Sequence, residues 1–166
     1  MPSMPDIIVL AHNIRSTHNV GALFRTAEGF GVSKIIFSGY TPYPKTQPDS
    51  RLPHIVDKLT LQIHKTALGA ETMVPFEYHN QPPISELRKN GYRVVGLEQD
   101  PRATPLPEYI ASQKIALLIG EEVEGIEKML RDQCDDLVEI PMDGKKESFN
   151  VSVATGIALY GLRFGG

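Results

Sequence analysis

A single cysteine, Cys134, occurs in the 166 residues, so no intrachain disulfide can form; this suits a reducing cytosol. No apolar stretch approaches the thickness of a bilayer. The N-terminal MPSMPDIIVLAH has no basic segment and only a short apolar run, so neither a signal peptide nor a membrane span is expected. Positive charge is not in excess: 17 Lys and Arg stand against 20 Asp and Glu, a formal net charge of −3. That excludes a general polyanion binder coated in cations but leaves room for a local basic patch. Several cofactor signatures are missing. No G-x-G-x-x-G follows the first strand, since Gly29-Phe30-Gly31 falls at a helix end, and there is neither a P-loop nor a nucleophile elbow. Five histidines are present, but no spacing selects a Ser-His-Asp triad. No His or Cys cluster accompanies the carboxylates, so no metal site is expected. Cys134, on an expected helix among acidic residues, is poorly placed to be a reactive thiolate.

What is present is the pattern of one α/β domain. Short, nearly continuous apolar runs at 7–11, 34–38, 93–97, 115–120 and 137–142 read as strands buried on both faces of a sheet. Between them, Val20, Leu23, Phe24 and Ala27 keep helical spacing, with Asn19 placed to cap and Gly31 to stop the helix. Ile126, Met129 and Leu130 give a second stripe, and residues 60–69 and 85–90 are plausible further helices. Ala154, Ile157, Ala158 and Leu162 mark a last one. This alternation implies a mainly parallel sheet with helices on both faces. The segment 39–57, with four prolines and no periodicity, is expected to be a long loop.

Three stretches have the residue types of a site. NIRSTHNVGALFRTAEGFGV, residues 13–32, opens a helix. Arg25 lies roughly 140° around from Val20 at about 3.6 residues per turn, off the apolar stripe. LLIGEEVEGI, residues 117–126, follows a strand whose carboxyl end at Gly120 could offer backbone groups to a ligand. Its Glu121, Glu122 and Glu124 disfavour phosphate and tolerate a cation such as a sulfonium. IPMDGKKESFNVSVATGIALYGL, residues 140–162, leads through Ser148, Phe149 and Asn150 into a helix rich in small residues. Each has a plainer explanation: a surface arginine, an acidic helix start, and N-capping by Ser148 and Asn150.

Taken in order, these stretches resemble the three motifs of the SpoU/TrmH family of RNA ribose 2′-O-methyltransferases, within the SPOUT superfamily. NVGALFRTA followed by Gly31-Val32 is similar to the first motif, Gly120, Glu122 and Gly125 to the second, and Ile140-Pro141-Met142 with Ser148-Phe149-Asn150-Val151-Ser152 to the third. Phe149 stands where the family usually has leucine. Lys65–Ala70 also looks like a family K-x-x-x-G-A stretch.

The resemblance implies a parallel α/β sheet with a C-terminal deep trefoil knot over about residues 92–166. It further implies one catalytic domain, 1–166, without an added RNA-binding domain, acting in the cytoplasm as a homodimer with sites at the subunit interface. The implied cofactor is S-adenosylmethionine, lined by Gly120, Ile140 and Phe149, with Leu97 and Glu98 as further candidates. The implied substrate is a ribose 2′-hydroxyl in RNA, tRNA before rRNA. Arg25 would act as base, or as anchor of phosphate and developing alkoxide, with Asn19, Glu122, Ser148 and Asn150 orienting the groups around it. RNA contacts are expected from Arg15, Lys45, Arg51, His54 and Lys58, in or beside the proline-rich loop, unless that loop is simply solvated. The alternatives are a base methyltransferase of the same superfamily, a non-catalytic RNA-binding module that kept the fold, and an unrelated α/β hydrolase or nucleotide-binding enzyme.

Overall fold

The structure, a computed structural model, describes residues 4–146 and 148–165; Glu147, within the third stretch, lies outside them. Seven parallel strands form one sheet in the order β3-β2-β1-β6-β4-β7-β5. They are β1 (Asp6–His12), β2 (Lys34–Ser38), β3 (Phe76–His79), β4 (Arg93–Leu97), β5 (Thr104–Pro105), β6 (Lys114–Ile119) and β7 (Asp136–Glu139). The helices are α1 (Thr17–Gly29), α2 (Pro53–Ala67), α3 (Ile84–Lys89), α4 (Lys128–Gln133) and α5 (Val151–Phe164).

The continuous apolar runs have the expected meaning, because side chains alternate between the faces of a strand. Ile7, Val9 and Ala11 of β1 join Leu23, Phe24, Ile63 and Leu159 in a core shared with α1, α2 and α5. Ile8 and Leu10 face the other way, onto Ile84, Leu87 and Leu130 of α3 and α4. Both faces of β1 are covered, so its apolar run is continuous.

The structure departs from the sequence reading in five places. Two strands were not expected: β3 is half-buried along its whole length, and β5 has only two residues. The long loop ends at residue 52, because Pro53 starts α2; Pro is suited to a first helical position. Only Val56, Ile63 and Ala67 of that helix are buried, while Ile55 and Leu61 face outward, which blurs its periodicity. The cap of α1 is Ser16, whose Oγ accepts the Asn19 N–H, so Asn19 is freed for another role. Finally, Ile126 precedes α4 and Met129 is 69% exposed, leaving Leu130 as that helix's buried residue.

Strand order brings a late segment into the middle of the sheet. β7 pairs with β4 on one side and β5 on the other, although both precede it in the chain. α5 then packs beside α1. On its other flank α1 meets α2 at backbone distance, since a Cβ on Gly21 would lie 1.9 Å from Thr66 Oγ1 and 2.3 Å from the Ile63 carbonyl oxygen. Thr66 Oγ1 donates to the His18 carbonyl oxygen across the same seam. No helix among the described residues is long and apolar enough to cross a membrane. Gly21→Ala forces α1 and α2 apart and is expected to lower stability by about 1–3 kcal/mol; urea denaturation measures the loss.

Candidate active site

The carboxyl ends of β4, β6 and β7, three neighbours in the sheet, open into a cavity of ≈ 460 Å³. Strand ends at this edge are where open α/β sheets bind ligands. Leu97, Ile140, Met142 and Phe149 give it apolar walls, and Gly120 and Gly125 bring backbone to its surface. Glu98, Glu121, Glu122, Glu124 and Glu139 also line it, with no Lys, Arg or His among the described lining residues. The field inside is therefore negative, favourable to a cation and hostile to phosphate.

The loop after β6 is held by its neighbours. Glu98 Oε2 accepts the Ile126 N–H at 2.6 Å, and Gly125 N–H donates to the Glu121 carbonyl oxygen at 2.8 Å. Gly125 has φ +70°, and a Cβ there would stand 2.2 Å from Glu98 Oε2. A Cβ on Gly120 would stand 2.6 Å from the Gly125 carbonyl oxygen. Only glycine fits at either position, so the loop folds tightly on itself and its peptide groups become part of the cavity wall.

All five residues expected to hold a cofactor, Gly120, Ile140, Phe149, Leu97 and Glu98, line this one cavity, as do Glu122 and Ser148. Asn19 and Asn150 stand just behind it. Asn19 Nδ2 donates to Glu122 Oε1 at 3.0 Å, and Asn150 Nδ2 donates to Asn19 Oδ1 at 3.4 Å. One amide thus joins the three motif stretches. Asn150 also caps α5: its Oδ1 accepts the N–H groups of Ser152 and Val153. Ser148 is exposed and makes no cap.

Arg25 is placed elsewhere. It is exposed on α1, does not line the cavity, and makes no hydrogen bond or ion pair among the described residues. Its neighbour Thr26 borders a shallow groove with Phe30, Val153, Ile157 and Tyr160. Of the expected RNA contacts, Arg15, Lys45, His54 and Lys58 are exposed. Arg51 is not free to reach outward. Its guanidinium binds Asp49 and the carbonyl oxygens of Tyr43 and Pro44, and lies 3.6 Å from the Tyr43 ring centroid. Those hydrogen bonds hold the Asp49 carboxyl well below the usual carboxylate range.

Sequence reasoning gave no site role to Gln99, Glu139, Met142 or His12, although Met142 stands in the third motif. The first three follow or end strands β4 and β7 at the cavity edge, and the rule of strand carboxyl ends could have found them. His12 is buried, with Nδ1 2.8 Å from Ser38 Oγ and Nε2 3.6 Å from Glu127, the cap of α4. Burial lowers its pKa. Burial likewise pushes the Cys134 thiol up to about 11, which removes it as a nucleophile at neutral pH. No metal-binding cluster occurs among the described residues.

Asn19 is itself 7% exposed, and its loss leaves half-buried Glu122 without its donor and Asn150 without its acceptor. Asn19→Ala is expected to lower stability by about 1–3 kcal/mol, beyond what the exposed position of a simple cap would give. Asn19→Asp, which sets a second carboxylate against Glu122, is expected to be at least as damaging at neutral pH. Urea midpoints for the two variants decide this.

The SpoU rRNA Methylase family matches residues 6–160. A 23S rRNA (guanosine-2′-O-)-methyltransferase, RlmB, of Nitrosomonas europaea is 32% identical over 158 residues, which are 94% of this chain and 55% of that protein. The chain therefore spans about half the length of the curated relatives it matches. An AdoMet-bound rRNA methyltransferase from Sinorhizobium meliloti superposes with a TM-score of 0.80 at 26% identity, covering 98% of this chain and 57% of that one. The A. aeolicus TrmH/SpoU tRNA modifying enzyme gives a TM-score of 0.76 at 25% identity, over 95% and 74% of the two chains. With the residues of all three motifs other than Arg25 gathered at or beside one acidic cavity, this chain belongs to the SpoU methylase family.

Proposed function

We propose that the chain binds S-adenosylmethionine in the acidic cavity and methylates a ribose 2′-hydroxyl of RNA. The observation that carries this reading is the cavity's combination of apolar walls, exposed glycine backbone and carboxylates without a cation. Its ≈ 460 Å³ lies in the range of small-molecule sites. When bound, the cofactor supplies an electrophilic methyl group on a sulfonium. Leu97, Ile140, Met142 and Phe149 would enclose the apolar parts, and the backbone at Gly120 would meet polar edges. The surrounding carboxylates favour the positive sulfur and lose that partner once the methyl has gone, which helps release.

The relatives named for rRNA and for tRNA support an RNA substrate. A 2′-hydroxyl must shed a proton as it attacks, and the alkoxide character that develops needs a positive partner. Arg25 suits that part, since a guanidinium offers five donors in a planar fork and this one has no partner among the described residues. It would hold the target phosphate and the developing oxyanion rather than remove the proton itself; the proton would pass to solvent water as the new O–C bond forms and the S–C bond to the neutral thioether breaks.

Arg25 reaches a cavity most simply across a dimer. Val153, Ile157, Tyr160 and Phe164 form an exposed apolar face on α5, at 52%, 37%, 60% and 57% exposure, beside Phe30 of the α1 end. Such a face on a folded domain marks an interface. We take a second copy of this chain to cover it and to bring Arg25 to a completed site. The insertion of β7 between β4 and β5, followed by the return of α5 to α1, supports the C-terminal knot expected over 92–166. Residues 6–160 would then act as one catalytic unit.

Four measurements test the proposal. Calorimetry should show S-adenosylmethionine binding, and nucleoside analysis of tRNA and rRNA incubated with the protein should show 2′-O-methylation of one of them; methyl on a base instead would overturn the ribose assignment. Arg25→Ala should lose roughly 10²-fold or more in turnover with cofactor affinity retained. Near-normal turnover would remove Arg25 from the chemistry. Ile157→Asp should yield monomers in sedimentation and abolish turnover, while a dimeric variant would count against the α5 interface.

A further inference from the structure

A second groove, of ≈ 710 Å³, lies at the same carboxyl edge of the sheet, beyond β1 and β2. Arg15, Tyr40, Tyr43 and Gln62 are among its lining, and no carboxylate is. Its charge is thus opposite to that of the cofactor cavity. Only the first turn of α1 separates the two: Ser16 and Thr17 line this groove, and Asn19 holds Glu122 in the cavity wall.

Tyr40 is 51% exposed, and its hydroxyl has no partner among the described residues. An exposed aromatic on a loop is usually mobile, but this loop is fixed. Asn13, at φ +57°, accepts the Tyr40 N–H on its Oδ1 at 3.1 Å. Gly39, at φ +66°, leaves no room for a Cβ, which would stand 1.8 Å from the same Oδ1. Buried Thr41 completes the clamp: its Oγ1 accepts the Ile14 N–H and donates to the carbonyl oxygens of Ala11 and Ser38. Glycine and asparagine are the residues that adopt such backbone readily, so the sequence here presets the turn that carries Tyr40. Arg15 Cζ stands 5.7 Å from the Tyr40 ring centroid, and its guanidinium makes no ion pair among the described residues. Opposite, Tyr43 stacks on Tyr78 with centroids 4.5 Å apart, beneath Arg51.

We infer that this groove is a binding subsite for single-stranded RNA, with Tyr40 as the platform on which a nucleobase stacks and Arg15 as the clamp on an adjacent phosphate. A preset aromatic next to an unpaired cation is the chemistry that holds single-stranded nucleic acid, because every base offers a π face. An unstacked strand lying along the sheet edge would place one nucleotide here and a neighbouring ribose at the cofactor cavity. The inference rests on the methyltransferase reading for its purpose but not for its detection.

The test is binding of a fluorescently labelled decaadenylate, and of the same ribose-phosphate decamer without bases, to the full chain with S-adenosylmethionine present. Tyr40→Ala should weaken decaadenylate binding by about tenfold, Tyr40→Phe should retain it, and neither should alter binding of the abasic decamer. Arg15→Ala should weaken both ligands and reduce the slope of log affinity against log salt by about one. The inference is overturned if wild-type protein does not prefer decaadenylate to the abasic strand, or if Tyr40→Ala binds it like wild type. Unchanged S-adenosylmethionine affinity in Tyr40→Ala shows that the variant is folded. If wild-type protein binds no S-adenosylmethionine but still shows the Tyr40-dependent preference, the methyltransferase reading fails and the RNA subsite stands.

Discussion

The side-chain amide of Asn19 is the point on which the site depends. Its donor faces Glu122 on the loop after β6, and its acceptor faces Asn150 at the start of α5. These partners lie 103 and 131 residues away in the chain, so a single buried group fixes the mutual position of three segments that no local interaction could align. An amide is the one common side chain that donates and accepts at once from adjacent atoms. A carboxylate would repel Glu122, and a lysine would leave Asn150 without an acceptor. The capping of α1 by Ser16 is what releases Asn19 for this task.

The frame around that amide was largely legible. Strands β1, β2, β4, β6 and β7 announced themselves because both sheet faces are covered, so apolar residues run on without interruption. β3 and β5 did not, since FEYH is half-buried and a two-residue edge strand has no pattern to show. The motif residues that line the cavity were legible as types and order, but the route by which they meet was not. Nothing in the spacing of Asn19 said that it would serve tertiary contact before capping. Arg51 misled for a similar reason: a basic residue in a proline-rich loop looks solvent-directed until Asp49 and two backbone carbonyls are seen to occupy it. Arg25 was readable as lying off the apolar stripe, and its distance from its own chain's cavity came from the fold alone.

Charge is sorted at one edge of the sheet rather than spread over the surface. Among the described lining residues, the cavity beyond β4, β6 and β7 carries carboxylates without cations, and the groove beyond β1 and β2 carries Arg15 without an ion pair and Arg51 held by Asp49. A net charge of −3 conceals this division.

The position of β7 has a consequence for how the chain is made. β4 and β5 leave the ribosome before β7, yet they do not touch through a continuous ladder until β7 lies between them. The wall of the cavity that contains Ile140, Met142 and Phe149 belongs to the segment between this latecomer and α5. The wall is therefore complete only once residues 136–164 have docked, and any ligand that bound the closed cavity would act as a latch on that docking.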